Sequence, residues 1–453
     1  MKTLDSFDKM KKHIPAKVNF IFKELEASGK KGWLVGGCVR DLLMDKIPND
    51  WDICTTALPE EIITIFKKTV PTGIKHGTVT VIENKESYEV TTLRIDGDYI
   101  DNRRPDSVVF TETIESDLAR RDFTMNSIAI DMDGVITDPF GGIHDISIGL
   151  IKSVGNADTR FKEDSLRMLR AIRFKAQLDF EIDKDTEESI RKNASLIKNI
   201  SSERIKIEIE KTITSKNPGL VFTFNDYGLL EQIMPELLPS ITTYQTNTFH
   251  EQTVAVHTAR ALKASDSSPL IRWAVLFHDI GKPNMMTVGD DGVTHFYGHE
   301  KESAILAERI MKRLKFPKDF MEKIVKLILV HDLRIEPSEK SVRKAVCKIS
   351  EELFPFFIEI KKADISGQHT RYYDRFKRIP EIESILEIMR EKNECFSLKD
   401  LNIDGNDLLK LGIKPGPHIG KTLGLLLDIV IDDPALNKKE ILIEKVKEIK
   451  MRP

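Results

Sequence analysis

A chain of 453 residues is too long for one ordinary core, and about two to four domains are expected. Its composition, 40% hydrophobic and 31% charged, is that of a globular protein in water. No apolar run approaches the roughly 18 residues a membrane span needs and the start is charged, so neither a membrane span nor a signal peptide is read and a cytoplasmic location is expected.

The net charge of −3 by itself points to no nucleic-acid partner, although metal-holding carboxylates can mask a local basic surface. Positive charge is patchy: Arg103-Arg104, Arg120-Arg121, the set Arg167, Arg170 and Arg173, and the segment from Arg371 to Arg378. Cys38, Cys54, Cys347 and Cys395 are scattered without C-x-x-C spacing, which excludes a disulfide framework or a zinc finger and reads as reduced thiols.

In chain order, the first third carries the strand signals. Short β-branched or aromatic runs at 33–35, 51–54, 78–82, 88–93 and 127–130 are separated by Gly, Asn, Asp and Pro. From Phe161 onward helical periodicity dominates: Leu166, Leu169 and Ile172 form one stripe, and Ile205, Ile207, Ile209 and Ile213 lie in another amphipathic stretch. Breaks containing Pro and Ser near 235–245, 265–270 and 333–341 mark loops or boundaries, and there is no internal repeat.

In the head, Leu34-Val35-Gly36-Gly37-Cys38-Val39-Arg40-Asp41 places a glycine pair between an apolar strand and an amphipathic helix. Such a turn lets backbone N–H groups approach phosphate, with Arg40 adding a guanidinium. Asn49-Asp50-Trp51-Asp52-Ile53 reads as a strand, so Asp50 and Asp52 project from one face. Two crowded carboxylates call for a cation, and oxygen-only ligands favour Mg²⁺ shared with substrate phosphates.

G-G-x-x-R-D followed by D-x-D resembles the signature of the polymerase-β nucleotidyltransferase superfamily. Arg120-Arg121-Asp122-Phe123-Thr124-Met125-Asn126, Asp138-Pro139-Phe140-Gly141-Gly142 and Glu163-Asp164-Ser165-Leu166-Arg167-Met168-Leu169-Arg170 narrow the resemblance to bacterial class II tRNA nucleotidyltransferases and their poly(A) polymerase relatives. The resemblance implies an α+β fold: a polymerase-β-like head with a mixed sheet at 1–155, a helical nucleotide-recognition and RNA-binding neck at 156–245, a metal-binding domain at 246–370 and a helical tRNA-anchoring tail at 371–453. It implies Asp50, Asp52 and Glu89 as catalytic carboxylates, the first two holding Mg²⁺. Gly37, Arg40, Arg121 and Asp122 are implied in nucleotide and sugar contact, Asp164 and Arg167 in reading cytosine or adenine, and Arg170 and Arg173 near the triphosphate.

The spacing of Asp164, Arg167, Arg170 and Arg173 is that of neighbours along one helix, read over 163–174, where a carboxylate beside a guanidinium can imitate base pairing. The polar, glycine-containing segment 96–105 reads as a mobile loop and resembles the flexible loop of enzymes that add both C and A. The implied activity is addition of C, C and A to a tRNA 3′ end from CTP and ATP, by a two-metal mechanism. Poly(A) polymerase or an enzyme of partial, CC- or A-only addition is the rival.

Six of the eleven histidines fall between His250 and His331. His278-Asp279 closes an apolar stretch, Gly281-Lys282-Pro283 follows, and His257 lies one helix earlier. This resembles the HD superfamily of metal-dependent phosphohydrolases, implying His257, His278, Asp279 and Asp364 as ligands of one divalent ion. Imidazole with carboxylate suits a transition metal better than Mg²⁺. His299 and the His331-Asp332 pair are candidates for a second metal. A chain that is chiefly an HD phosphohydrolase with a nucleotide-sensing head is the alternative from another class. In the tail, the glycine-rich turns at 401–408 and 411–421 resemble the region that anchors tRNA through its phosphates.

Overall fold

The computed structural model describes residues 10–97, 107–247, 250–368 and 370–451. Most of the expected mobile loop, with Arg103 and Arg104, lies outside the described residues. Two units emerge, Met1–Pro235 and Glu236–Pro453.

The first unit opens with helix α1 (Ala16–Ala27), strand β1 (Gly32–Val35), helix α2 (Gly37–Leu43), strand β2 (Asp52–Thr55) and helix α3 (Pro59–Ile65). Strands β3 (Thr69–Gly73), β4 (Thr78–Glu83), β5 (Glu86–Thr92), β6 (Ala129–Ile130) and β7 (Ile136–Thr137) complete a mixed sheet of order β3-β4-β5-β2-β1-β6-β7. Alternation along the strands separates two apolar faces. Leu34, Ile53, Val79, Val81 and Val90 pack beneath Val18, Ile21, Phe22 and Leu25 of α1 and Val39 and Leu42 of α2. Trp33, Val35 and Cys54 face Leu93, Ile114 and Leu118 on the other side.

Two readings of local structure change. The strand expected over 49–53 begins only at Asp52, with Asp50 in the bend before it. The antiparallel register of β1 with β2 ends at Leu34↔Ile53, and beyond Val35 the β1 chain turns into α2, so the residues before Asp52 have no ladder to join on that side. The single helix expected over 163–174 is two: α4 (Ala157–Glu163) and α5 (Leu166–Leu178), with extended backbone at Asp164 between them (φ −138°, ψ 100°).

Helices α6 (Lys184–Asn193) and α7 (Ser202–Ile213) follow. Within α7 the expected stripe holds for Ile205, Ile209 and Ile213, whereas Ile207 is exposed, because a helix turns 3.6 residues and alternate positions cannot share a face.

The second unit is mainly helical: α8 (Val254–Ala264), α9 (Pro269–Phe277), α10 (His299–Arg313), α11 (Lys318–Val330), α12 (Glu339–Ile349), α13 (Phe354–Gly367) and α14 (Arg378–Glu391). The buried Trp273 and Phe277 of α9 and Phe354 and Phe357 of α13 supply large side chains to its interior. Toward the C-terminus, α15 (Gly405–Lys410), α16 (Pro417–Asp432) and α17 (Lys439–Met451) close a separate apolar cluster around Leu408, Leu426, Val430, Leu442 and Val446. All four cysteines are free thiols. No described helix is long and apolar enough to cross a membrane.

Candidate active site and metal centre

In the first unit, the β1–α2 turn sets the floor of a cavity of about 890 Å³. Gly36 takes φ +74°, a conformation that side chains oppose, and a Cβ there would lie 3.0 Å from Arg121 Nη1 and 3.4 Å from Asp52 Oδ2. The glycine thus lets backbone, guanidinium and carboxylate converge. Gly36, Gly37, Asp50 and Asp52 line the cavity at one end; Arg40, Arg121, Arg167, Arg170 and Arg173 bring positive charge to its walls.

Parallel pairing of β2 with β5 puts Asp52 directly opposite Glu89, on the same face of the sheet. Although Asp52 opens onto the cavity, surrounding protein still desolvates it, raising its pKa; Asp50 pushes further upward while Arg121 and Arg170 oppose. Glu89 is raised by desolvation and then by Asp52 and Asp50. Carboxylate oxygens beside an arginine-lined cavity are a donor set that suits Mg²⁺. Glu86, the neighbouring candidate, instead accepts from Tyr88 (2.7 Å) and pairs with Lys17.

The arginines are held by partners that the motifs only partly disclosed. Arg40 donates to Asn126 Oδ1 (2.9 Å) and to Asp41 Oδ1 (2.8 Å). Arg121 donates to the fully buried Asp117 (3.1 Å), which burial opposes but Arg120 and Arg121 keep ionised. Asp122 accepts from the Phe123 amide (2.8 Å) and Asn126 (3.1 Å) through one oxygen and from Arg170 (2.7 Å) through the other. Burial would protonate it, but Arg170 and Asn126 outweigh that and hold it well below the ordinary carboxylate range. Arg173 pairs with Glu208 of α7 (3.0 Å) and lies 4.1 Å over the Phe174 ring.

Asp164 and Arg167 do not pair along a helix as their spacing suggested. Arg167 donates to Glu163 (2.8 Å) and to the Arg120 carbonyl (2.7 Å), while Asp164 accepts from Arg204 of α7 (2.7 Å) and from the Leu166 amide (3.2 Å). The break at Asp164 turns its carboxylate toward α7, and both residues still line the cavity. Arg204, Asp117 and Glu208 were missed. Arg204 and Glu208 lie 40 and 35 residues from their partners, whereas Asp117 stands one helical turn before Arg121 and the i,i+4 spacing was the signal that could have found it.

In the second unit, α8, the end of α9 and α13 bring His257, His278, Asp279 and Asp364 together in the interior. His257 Nε2 lies 3.1 Å from Asp364 Oδ1 and 3.4 Å from Asp279 Oδ2; His278 Nε2 lies 3.2 Å from Asp279 Oδ2. Ligand atoms bound at about 2.1 Å to one ion stand roughly 3.0 to 3.4 Å apart, so the spacing suits a divalent transition ion. His278 Nδ1 donates to the Val275 carbonyl (2.7 Å), leaving Nε2 to face the cluster. Burial favours neutral His278, yet Asp279 and Asp364 outweigh it and its pKa rises to about 10. Gly367 packs against this ring: a Cβ there would sit 2.7 Å from His257 Nδ1.

A mixed sheet carrying adjacent carboxylates beside a glycine turn, with an arginine-lined cavity beyond, defines the catalytic head of a nucleotidyltransferase. Family models agree: "Poly A polymerase head domain" matches residues 32–152, "Probable RNA and SrmB- binding site of polymerase A" 179–241, and a model of domain 2 of tRNA nucleotidyltransferases 297–446. The chain is 35% identical over 428 residues to the CCA-adding enzyme of Lactobacillus johnsonii, covering 94% of this chain and 95% of that one. Against the CCA-adding enzyme of Geobacillus kaustophilus it is 36% identical over 431 residues, 93% of each. The solved Bacillus stearothermophilus CCA-adding enzyme in complex with CTP superposes with a TM-score of 0.73 at 27% identity, covering 95% of this chain and 96% of that one. The chain belongs to the class II CCA-adding enzymes.

Proposed function

We propose that the chain adds C, C and A in turn to the 3′ end of tRNA, using CTP and ATP without a nucleic-acid template and releasing pyrophosphate. The observation that carries this reading is the convergence of Asp50, Asp52 and the Gly36–Gly37 turn at one end of the arginine-lined cavity. In the reaction the tRNA 3′ hydroxyl gives up its proton to solvent, its oxygen bonds to the α-phosphorus, and the bond from that phosphorus to the oxygen bridging to the β-phosphate breaks, releasing pyrophosphate. Asp50 and Asp52, with Glu89 alongside, would hold Mg²⁺ there. Bound Mg²⁺ would supply neutralisation of the charge that develops on the reacting phosphate, the two-metal chemistry expected of such a site.

The rest falls to this chain's residues. Gly37 and Arg40 lie where phosphate oxygens enter, and Arg121, Arg170 and Arg173 offset triphosphate charge. Asp122, with both oxygens engaged, positions Arg170. Asp164 and Arg167 read the base edge, each good contact discriminating by roughly 1 to 3 kcal/mol. Incubation with tRNA ending at the discriminator base, at C or at C-C, with CTP and ATP supplied separately, tests the reading: stepwise extension supports it, and runs of A alone would favour poly(A) synthesis. Asp52→Ala should lower incorporation about 10³-fold or more, given several kcal/mol of metal-borne charge stabilisation.

For the second unit, His257, His278, Asp279 and Asp364 hold a divalent transition ion and serve hydrolysis of a phosphoester. Water oxygen bonds to phosphorus, the bond to the alcohol oxygen breaks, and a proton passes to that oxygen. The four convergent ligands support this, as does their cavity of about 630 Å³, to which Lys361, Arg334 and Arg375 add positive charge. Loaded with Mn²⁺ or Ni²⁺, the protein should hydrolyse a phosphoester in a manner abolished by His278→Ala and retained in Asp52→Ala.

A further inference from the structure

The strip Arg120-Arg121-Asp122 meets the site of the first unit at three places. The Arg120 carbonyl accepts from Arg167 Nη2 (2.7 Å), Arg121 stands beside Gly36 and Asp52, and Asp122 accepts from Arg170. Three consecutive residues thus carry the acceptor that fixes the base reader, a guanidinium at the catalytic carboxylates and the anchor of a triphosphate arginine. Asp122 has anchors of its own in the Phe123 amide and Asn126. Arg120 and Arg121 instead share one: Asp117, in the short helix Ile114–Ala119 just before them.

Each oxygen of Asp117 holds a different arginine. Oδ1 accepts from Arg120 Nη2 (2.7 Å) and Nε (3.0 Å) and from the Arg94 amide (3.3 Å). Oδ2 accepts from Arg121 Nη2 (3.1 Å), with the Cys54 thiol 3.8 Å away. Charge-assisted bonds of this length, made out of water, resist displacement. With Nη2 of Arg121 engaged there, its Nη1 is left at the glycine turn, 3.0 Å from where a Gly36 Cβ would stand, a point itself 3.4 Å from Asp52 Oδ2. Asp117 is fully buried and so shut off from substrate, which leaves the two arginines as its only route to the reaction.

We propose that Asp117 is a positioning residue for nucleotide addition: it fixes Arg121 at the catalytic carboxylates and, through Arg120, the carbonyl that holds Arg167, so that one buried carboxylate sets the register between the phosphate attacked and the base read. The proposal rests on the nucleotide-adding reading of the head given above. In-line attack tolerates little displacement, and a misplacement of about 1 Å costs about 10²-fold in rate. Rate therefore depends on the Arg121 arm and selection on the Arg120 arm, and a carboxylate common to both couples them. Asparagine at this position keeps the volume but replaces one acceptor oxygen by an NH₂ group, which meets a guanidinium donor to donor. One of the two arginines must then move.

The test separates positioning from mere loss of structure. In the full-length chain, single-turnover addition of CMP and AMP is followed on tRNA ending at the discriminator base. Asp117→Asn should lower the rate of CMP addition about 10²-fold and the preference for CTP over ATP about tenfold. In an Arg121→Gln background the same change should cost no more than a few fold in rate, because the group it acts through is gone, while the preference still falls. A loosened or partly unfolded head would slow both nucleotides alike and in both backgrounds. An unchanged preference, or a 10²-fold loss repeated on Arg121→Gln, therefore overturns the proposal. Should Asp117→Asn not fold, Arg120→Gln removes the base-side arm alone and should lower the preference by a similar factor; an unchanged preference there overturns it too. A parent chain that adds neither nucleotide overturns the reading of the head itself, and the proposal with it.

Discussion

Asp122 shows how a single side chain in the head is stabilised and what it serves. Its carboxylate is buried, with one oxygen engaged by the Phe123 amide and Asn126 and the other by Arg170. Because the folded pKa lies below that of free aspartate, this stabilisation is present in full above the unfolded value of about 3.9 and is lost as pH falls through the folded pKa. Asp122→Asn should therefore destabilise the first unit at pH 7 by about 1 to 3 kcal/mol, moderated because Arg170 is partly solvated. Denaturant titrations of parent and variant should converge as pH drops below about 4. A gap that persists unchanged into acid would assign the effect to packing. For the same residue, the altered Arg170 should raise KM for the nucleotide more than it lowers kcat. The sequence made Asp122 and Arg170 visible through their motifs, but not their pairing, because their 48-residue separation is closed only by folding.

Among the elements, the junction between α4 and α5 bears most on specificity. The stretch from Glu163 to Phe174 has the apolar spacing of one helix, and nothing in its propensities forces a break. At the break Asp164 accepts from the Leu166 amide and from Arg204 of α7, a partner 40 residues away in sequence. Arg204→Ala should therefore leave the total rate of nucleotide addition within a few fold while reducing discrimination between CTP and ATP, by roughly tenfold for a contact of about 1.4 kcal/mol. Competition assays with both nucleotides on tRNA ending at the discriminator base would measure it. In the second unit, Gly367 at the end of α13 touches the His257 ring. Gly367→Ala should displace that ring and weaken metal binding by about 10- to 100-fold, read by Mn²⁺ titration, with nucleotide addition unaltered.

At the scale of the whole chain, each of the two units carries a cavity lined by its own charged residues. Stripping metal with a chelator and restoring a transition ion at about 100 times its Kd should stabilise the second unit by about 2.7 kcal/mol, a shift of roughly 5 to 10 °C. Calorimetry should show that shift abolished by His278→Ala and preserved in Asp52→Ala. What the amino-acid sequence determined was local and ordered along the chain: the glycine turn after an apolar strand, the paired aspartates, the histidine-aspartate doublet, and the passage from strand-rich head to helical remainder. Each rests on neighbours in sequence, where spacing alone sets direction. What only the tertiary structure decided was long-range: Glu89 opposite Asp52 across a parallel strand pair, Arg204 on Asp164, Glu208 beneath Arg173, and the two histidine pairs that meet at Asp279. Those contacts arise from packing of the sheet and helices, which brings distant residues within bonding range and which no periodicity along the chain encodes.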